Sequence, residues 1–94
     1  MITVLELVWD ASFKRAYRKR IAPNKHLAGR FEEAMALFVL DPFEPRLRTH
    51  KLTGKLQGYW AFSVEHDCRV LFLFIKGSKR KVLLIDIGSH DEVY

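Results

Sequence analysis

The stretch His50-Lys51-Leu52-Thr53-Gly54-Lys55-Leu56-Gln57-Gly58-Tyr59-Trp60-Ala61-Phe62-Ser63-Val64-Glu65-His66-Asp67-Cys68-Arg69 decides how this chain folds. From Leu56 onward it alternates. Leu56, Gly58, Trp60, Phe62 and Val64 point one way, and Tyr59, Ala61, Ser63 and Glu65 the other, as in a strand with one face on a core. Polar residues then interrupt, and Arg69 to Lys76 runs on as an almost wholly apolar, β-prone segment. Two such strands around a short turn form a hairpin whose register depends on loop length. A two-residue loop at His66-Asp67 would set Arg69 opposite Val64, on the face of Trp60 and Phe62. A three-residue loop, His66-Asp67-Cys68, sets Arg69 opposite Glu65, so that Phe62 and Val64 share a face with Val70 and Phe72. Burying an unpaired guanidinium is costly, so the second register is expected.

Upstream of this stretch, Arg46 to Leu52 also alternates and reads as extended, with Arg46, Arg48 and His50 on one face and Leu47 and Thr49 on the other. Phe43-Glu44-Pro45 is a loop and Thr53-Gly54 a turn. Ile2 to Val8 reads as a short β-branched strand. Asp10 or Ser12 can cap a helix in which Phe13, Ala16, Tyr17 and Arg20 recur at helical spacing. Pro23 breaks it, because the residue before a proline is pushed out of the α region. Asn24 starts a second helix with Leu27, Phe31, Ala34, Met35 and Phe38 on one stripe, ending near Asp41-Pro42. Downstream, Gly77-Ser78-Lys79-Arg80 is a hairpin turn and Val82 to Ile87 a second buried strand, closed by Gly88. The order β-α-α-β-β-β-β predicts an α+β domain over residues 1–94. Its small twisted antiparallel sheet, of about four to five strands, packs against an N-terminal helical hairpin.

The totals agree with one folded domain: 94 residues, with 49% hydrophobic and 13% aromatic. No apolar run approaches the roughly 18 residues that span a membrane. The opening residues lack the basic region of a signal peptide, and the single cysteine, Cys68, cannot form an internal disulfide. A cytoplasmic protein is expected. The net charge of +5 favours an anionic partner. The basic residues concentrate in three groups, Lys14 to Arg30, Arg46 to Lys55 and Lys76 to Lys81. No Cys/His or carboxylate set has metal-ligand spacing, so neither a metal nor another cofactor is expected.

Several segments taken in order resemble a known family: His50-Lys51-Leu52, Gly54, Leu56, Gly58-Tyr59-Trp60, Asp67-Cys68-Arg69-Val70, and the end Ile87-Gly88-Ser89-His90-Asp91-Glu92-Val93-Tyr94. The chain is similar to toxins of the RelE/ParE superfamily from bacterial toxin–antitoxin systems, above all the YafQ-like and YoeB-like mRNA endonucleases. The resemblance implies an RelE/ParE-like fold and a toxin that cleaves mRNA on the translating ribosome and is held inactive by a cognate antitoxin. YafQ-like members carry a His in the H-x-L-x-G segment, an Asp in the following turn, and a C-terminal His with an aromatic four residues later. These carry over to His50, Asp67, His90 and Tyr94. YoeB-like members have an Arg where Arg69 falls. A second YafQ-like His is replaced by Ser63, and the Trp that usually follows the Asp is Cys68.

These residue types suit metal-independent RNA cleavage. Histidine serves as acid or base near neutral pH, and arginine binds phosphate through a fixed fork of donors. An Asp can orient an imidazole, and a Tyr can stack on a base. Arg46, Arg48, Lys51 and Lys55 flank His50 and are the expected nucleic-acid contacts. Plainer readings stand beside these. His26 reads as helix surface, His66 as an exposed turn, Cys68 as a plain thiol, and Lys14, Arg15, Arg18 and Lys19 as a solvated helix face. Two other functions fit the same resemblance: a ParE-like inhibitor of DNA gyrase, which generally lacks the His set, and a catalytically decayed RNA binder.

Overall fold

The computed structural model describes residues 4–77 and 80–94, so Ile2 and Thr3 of the expected first strand and Ser78-Lys79 of the expected hairpin turn lie outside the described residues. The first strand, β1, spans Glu6–Trp9. Asp10 follows as a helix cap, its carboxylate accepting from the Ser12 backbone N–H at 3.0 Å. The Ser12 hydroxyl also donates to the Ile85 carbonyl at 2.7 Å, which ties this cap to the last strand. Helix α1 covers Ala11–Ala16 and buries Phe13 and Ala16. It then widens into a single π-helical turn over Tyr17–Ile21, closed by the Ala22 N–H on the Tyr17 carbonyl at 2.9 Å. Asn24 caps α2, Lys25–Leu40, by accepting from the Leu27 N–H at 3.1 Å. The predicted stripe of α2 is the buried one, with Phe31, Ala34, Met35 and Phe38 all inside.

Four further strands follow: β2 at His50–Lys51, β3 at Trp60–Glu65, β4 at Cys68–Phe74 and β5 at Lys81–Gly88. The sheet order is β1-β5-β4-β3-β2. The meander from β2 to β5 is antiparallel, as expected, while β1 lies parallel to β5 and makes the five-stranded sheet mixed. Hydrophobic alternation fixes which face of a strand is buried but carries no information on its direction, so this pairing was not legible in advance. A short helix, α3, spans His90–Val93 and packs on β4 and β5.

Two expectations for the middle of the chain need correction. Arg46 to Leu52 is not one strand. Pro45–Leu47 forms a turn of 3-10 helix begun by Glu44, whose carboxylate accepts from the Arg46 N–H at 2.6 Å. Arg48 then takes a left-handed conformation at φ 53°, and pairing with β3 starts only at His50. The cause is Leu47, which is fully buried and draws the segment inward instead of letting it run along the sheet edge. Leu56 likewise sits in a 3-10 turn, Gly54–Leu56, and β3 begins at Trp60. Gly58, at φ 97°, makes the sharp re-entry that a side chain would disfavour.

The register at the β3–β4 turn combines both loops considered above. Glu65 pairs with Cys68 across a two-residue turn, and a bulge then absorbs Val64, so that Ser63 pairs with Arg69 and Phe62 with Val70. Arg69 therefore stays off the aromatic face, as the cost of burial requires, although the device is a bulge and not a longer loop. A second irregularity between Leu71 and Phe72 aligns Phe72 with Leu84.

The core lies between the helices and one face of the sheet, where Phe13, Phe38, Phe62, Phe72, Val82, Leu84 and Ile87 are all fully buried. Phe38 of α2 stacks on Phe62 at 4.4 Å between ring centroids and meets Phe72 edge-on at 5.0 Å. These contacts carry the helix onto the centre of the sheet. We expect Phe38→Ala to lower unfolding free energy by about 3–5 kcal/mol, read as a lower urea midpoint with an unchanged slope.

Candidate functional site

His50 is exposed on the short edge strand β2, opposite Ala61. That pairing puts it on the sheet face of Ala61, Ser63 and Arg69, away from the phenylalanine core. Its Nδ1 lies 2.9 Å from the Arg48 carbonyl oxygen. A carbonyl only accepts, so Nδ1 carries the proton, and Nε2 is the unprotonated nitrogen of the neutral ring. The left-handed turn at Arg48 aims this carbonyl at the imidazole; one local conformation both ends the 3-10 turn and sets the tautomer.

An open groove of about 530 Å³ is lined by Arg30, Arg46, Arg48, His50, Ser63, Val64, Glu65, His66 and Arg69. Four guanidinium groups and two imidazoles face one space, against a single carboxylate, Glu65. That carboxylate is itself engaged, held by His26 Nε2 and lying 3.7 Å from Arg30 Nε. Arg46 is paired too, its Nε 2.6 Å from Glu44 Oε1, and this bond holds the Glu44 carboxyl below its ordinary range.

The C-terminal residues converge on the other side of Arg69. Ser89 caps α3 in a reciprocal box. Its hydroxyl accepts from the Glu92 N–H at 3.3 Å, and Glu92 Oε1 accepts from the Ser89 N–H at 2.7 Å. Asp67 Oδ1 accepts from the His90 backbone N–H at 3.2 Å, which ties the β3–β4 turn to the start of α3. The His90 and Tyr94 rings meet edge-on at 4.7 Å, and the Arg69 guanidinium lies 5.7 Å from the centre of the Tyr94 ring. Burial pushes the Tyr94 hydroxyl above its ordinary pKa, with Arg69 opposing, so it is a protonated donor at neutral pH.

Asp67, Arg69, His90 and Tyr94 thus form one cluster, while His50, Arg46 and Arg48 share the groove with Arg69. Asp67 bonds a backbone N–H and not an imidazole; the carboxylate that pairs with the His90 ring is Asp91, with Oδ1 3.7 Å from Nδ1. Lys51 points to the opposite face, its ammonium 5.4 Å from the centre of the Trp60 ring, and Lys55 is exposed on the Gly54–Leu56 turn. Neither lines the groove.

Arg30, Glu65 and His66 do line it, and no sequence reading placed them in a site. Spacing gave a partial signal, since His26 and Arg30 are four apart in α2 and both reach Glu65. Cys68 is buried, and burial, with the charges of Glu65, Glu92 and Asp67 adding to it, pushes its thiol up to about 11. It is a plain protonated thiol. Among the described residues no group of three or more His, Cys, Asp or Glu side chains is placed to hold a metal ion.

Residues 5–94 match the model of one protein family, described as "Bacterial toxin of type II toxin-antitoxin system, YafQ". No curated protein sequence matches. Several solved structures share the fold. A copper-bound mutant toxin from Helicobacter pylori is 22% identical, with 96% of this chain and 99% of that chain covered and a TM-score of 0.73. A YoeB/ParE toxin from Agrobacterium tumefaciens is 20% identical, with 92% and 99% covered and a TM-score of 0.74. A chain of the E. coli DinJ-YafQ toxin-antitoxin complex is 15% identical, with 96% and 97% covered and a TM-score of 0.72. At these identities the likeness is one of fold.

One pH dependence follows from the cap of α3. The Glu92 carboxyl is held below its ordinary range, chiefly by the Ser89 backbone N–H, with the Ser89 hydroxyl and Arg20 contributing against desolvation and Asp67. A carboxyl whose pKa is lower in the folded chain stabilises the fold above its unfolded pKa, about 4.3, and that contribution is lost as pH falls through the folded value. The difference in melting temperature between wild type and Glu92→Gln is therefore expected to be constant from neutral pH to about 5 and to close in more acidic buffer.

Proposed function

The chain belongs to the YafQ family of bacterial type II toxin–antitoxin toxins, and on that premise we propose that it is an endoribonuclease that cuts mRNA on the translating ribosome. The observation that carries this reading is the position of Arg69, which lines the groove of His50 and also covers the Tyr94 ring beside His90. A phosphate engaged by Arg69 would have one histidine on the groove side and one on the tail side.

The chemistry is a transesterification. The ribose 2′-oxygen attacks the adjacent phosphorus, a base takes the 2′ proton, and the P–O5′ bond breaks as an acid protonates the leaving oxygen. The products are a 2′,3′-cyclic phosphate and a 5′-hydroxyl. His50 serves as the base, because its Nδ1–H is committed to the Arg48 carbonyl and Nε2 holds a free lone pair. His90 serves as the acid. Arg69 and Arg48 balance the charge that grows on the phosphorane oxygens, and guanidinium geometry suits two of them at once. Tyr94 stacks on a base or donates its protonated hydroxyl. Asp67 acts through the backbone of His90.

Each proton and charge thus has a side chain of this chain to handle it, with no metal or cofactor. Arg46 extends the positive surface along the RNA backbone, while Lys51 and Lys55 lie outside the groove and have no contact assigned there. No helix of the described residues is long and apolar enough to cross a membrane, and the substrate places the activity in the cytoplasm. A cognate antitoxin is the natural inhibitor, supported by the E. coli relative seen in a toxin-antitoxin complex.

Inducing the protein and mapping mRNA ends at codon resolution tests the reading. Cleavage within translated frames is expected, and His50→Ala or His90→Ala should each lower the rate by roughly 10²–10⁴-fold with the fold intact. Intact mRNA while folded protein accumulates would sink it. Growth arrest with damaged DNA and intact mRNA would instead favour a gyrase inhibitor. Full activity in both histidine variants would leave no role for the proposed acid and base.

A further inference from the structure

Arg20 has no part in the site described above, yet its guanidinium meets two carboxylates and a backbone carbonyl. It sits on the π-helical turn Tyr17–Ile21 and reaches the far end of the chain. Its Nη1 donates to Asp86 Oδ1 at 3.1 Å and to the Ile87 carbonyl at 3.0 Å, and its Nε lies 3.4 Å from Glu92 Oε2. The two oxygens of Glu92 have separate tasks. Oε1 closes the capping box on the Ser89 N–H and Oε2 meets Arg20, so the guanidinium holds the residue that holds the helix.

The Glu92 and Arg20 side chains close over Gly88. A Cβ built on Gly88 would come within 2.8 Å of Glu92 Oε1 and 3.0 Å of Arg20 Nη1. Asp86 does not drift either, because its Oδ1 also accepts from the Ile87 N–H at 2.8 Å. A four-residue helix has no stability of its own. What places α3 must therefore come from tertiary contacts: Val93 in the sheet face, Asp67 at the first N–H, and Arg20 at the cap.

We propose that Arg20 is a positioning residue for RNA cleavage. Through Asp86, Ile87 and Glu92 it fixes the C-terminal turn and so aims His90 and Tyr94 at Arg69. This rests on the nuclease reading above. Arginine is required over lysine, because only the planar fork meets a carboxylate, a carbonyl and a second carboxylate from fixed directions.

The test compares Arg20→Ala, Arg20→Lys and Glu92→Gln with wild type in two readouts. Amide hydrogen exchange reads the turn without reference to activity. In Arg20→Ala the Val93 and Tyr94 amides are expected to exchange about 10-fold faster or more, while β4 and β5 keep their protection. Single-turnover mRNA cleavage on programmed ribosomes should fall by on the order of 10²-fold with ribosome affinity unchanged, since a misplacement of an ångström at a reacting group has that effect. Arg20→Lys should restore part of both, and Glu92→Gln, which leaves the Arg20–Asp86 pair in place, should loosen the turn in the same direction. Should Arg20→Ala fail to fold, Glu92→Gln decides alone.

Three results would overturn the proposal: unchanged exchange at Val93 and Tyr94, a loosened turn with full cleavage, or ribosome affinity falling in step with the rate. If wild type does not cleave mRNA at all, the nuclease reading and the catalytic role of Arg20 fall together. The exchange measurement then still shows whether Arg20 holds the turn.

Discussion

A guanidinium at the start of a strand whose next residues are core must be kept out of that core. Arg69 is followed by Val70, Leu71 and Phe72, all buried, with Val70 and Phe72 packed among the phenylalanines. Simple two-residue pairing of β3 and β4 would have turned Arg69 inward and one of its neighbours outward. The bulge at Val64 resolves the conflict by adding one residue to β3, so that Val64 still reaches the core while Ser63, not Val64, faces Arg69. Hydrophobic register and the placement of the Arg69 guanidinium are thereby settled by one local irregularity. Bulges commonly re-aim a side chain next to a site, and this one does so at the end of the sheet where both clusters meet.

From Arg69 the rest of the arrangement follows by packing. On one side the groove collects His50, Arg46 and Arg48 because Leu47 anchors the incoming loop and Arg48 turns left-handed to meet the edge of β3. On the other side α3 lies across β4 and β5 and presents His90 and Tyr94 to the same guanidinium. The two sides are built differently. The groove side rests on a buried leucine and a backbone conformation. The tail side rests on hydrogen bonds and ion pairs at the surface, from Asp67, Ser89, Glu92 and Arg20. Surface ion pairs are individually weak, so a short helix held by several of them, by its cap and by Val93 is a part whose position responds to single substitutions.

The distribution of charge fits this division. Several basic residues are paired: Arg20 with Asp86 and Glu92, Arg30 with Glu33 and Glu65, Arg46 with Glu44, and Lys81 with Glu6. The net charge of +5 is thus not a uniform coat. Arg48 and Arg69 face the groove while most of the nearby carboxylate capacity is taken up by other partners, and this leaves the groove positive.

What the residues determined by themselves was the class of fold and the set of residues proposed for the site. The stripe of α2, the caps at Asp10 and Asn24, the buried faces of β3 to β5 and the exclusion of Arg69 from the core all follow from periodicity and desolvation, which are local properties. His50, Asp67, Arg69, His90 and Tyr94 were legible as a family pattern. Only the tertiary structure decided the direction of β1, the collapse of Arg46 to Leu52 into a turn, and the choice of Asp67 for a backbone N–H. It alone brought Arg30, Glu65 and His66 into the groove and Arg20 to Glu92. Each of these depends on partners distant in sequence, and a periodic pattern reports which way a side chain faces, not what it will find there.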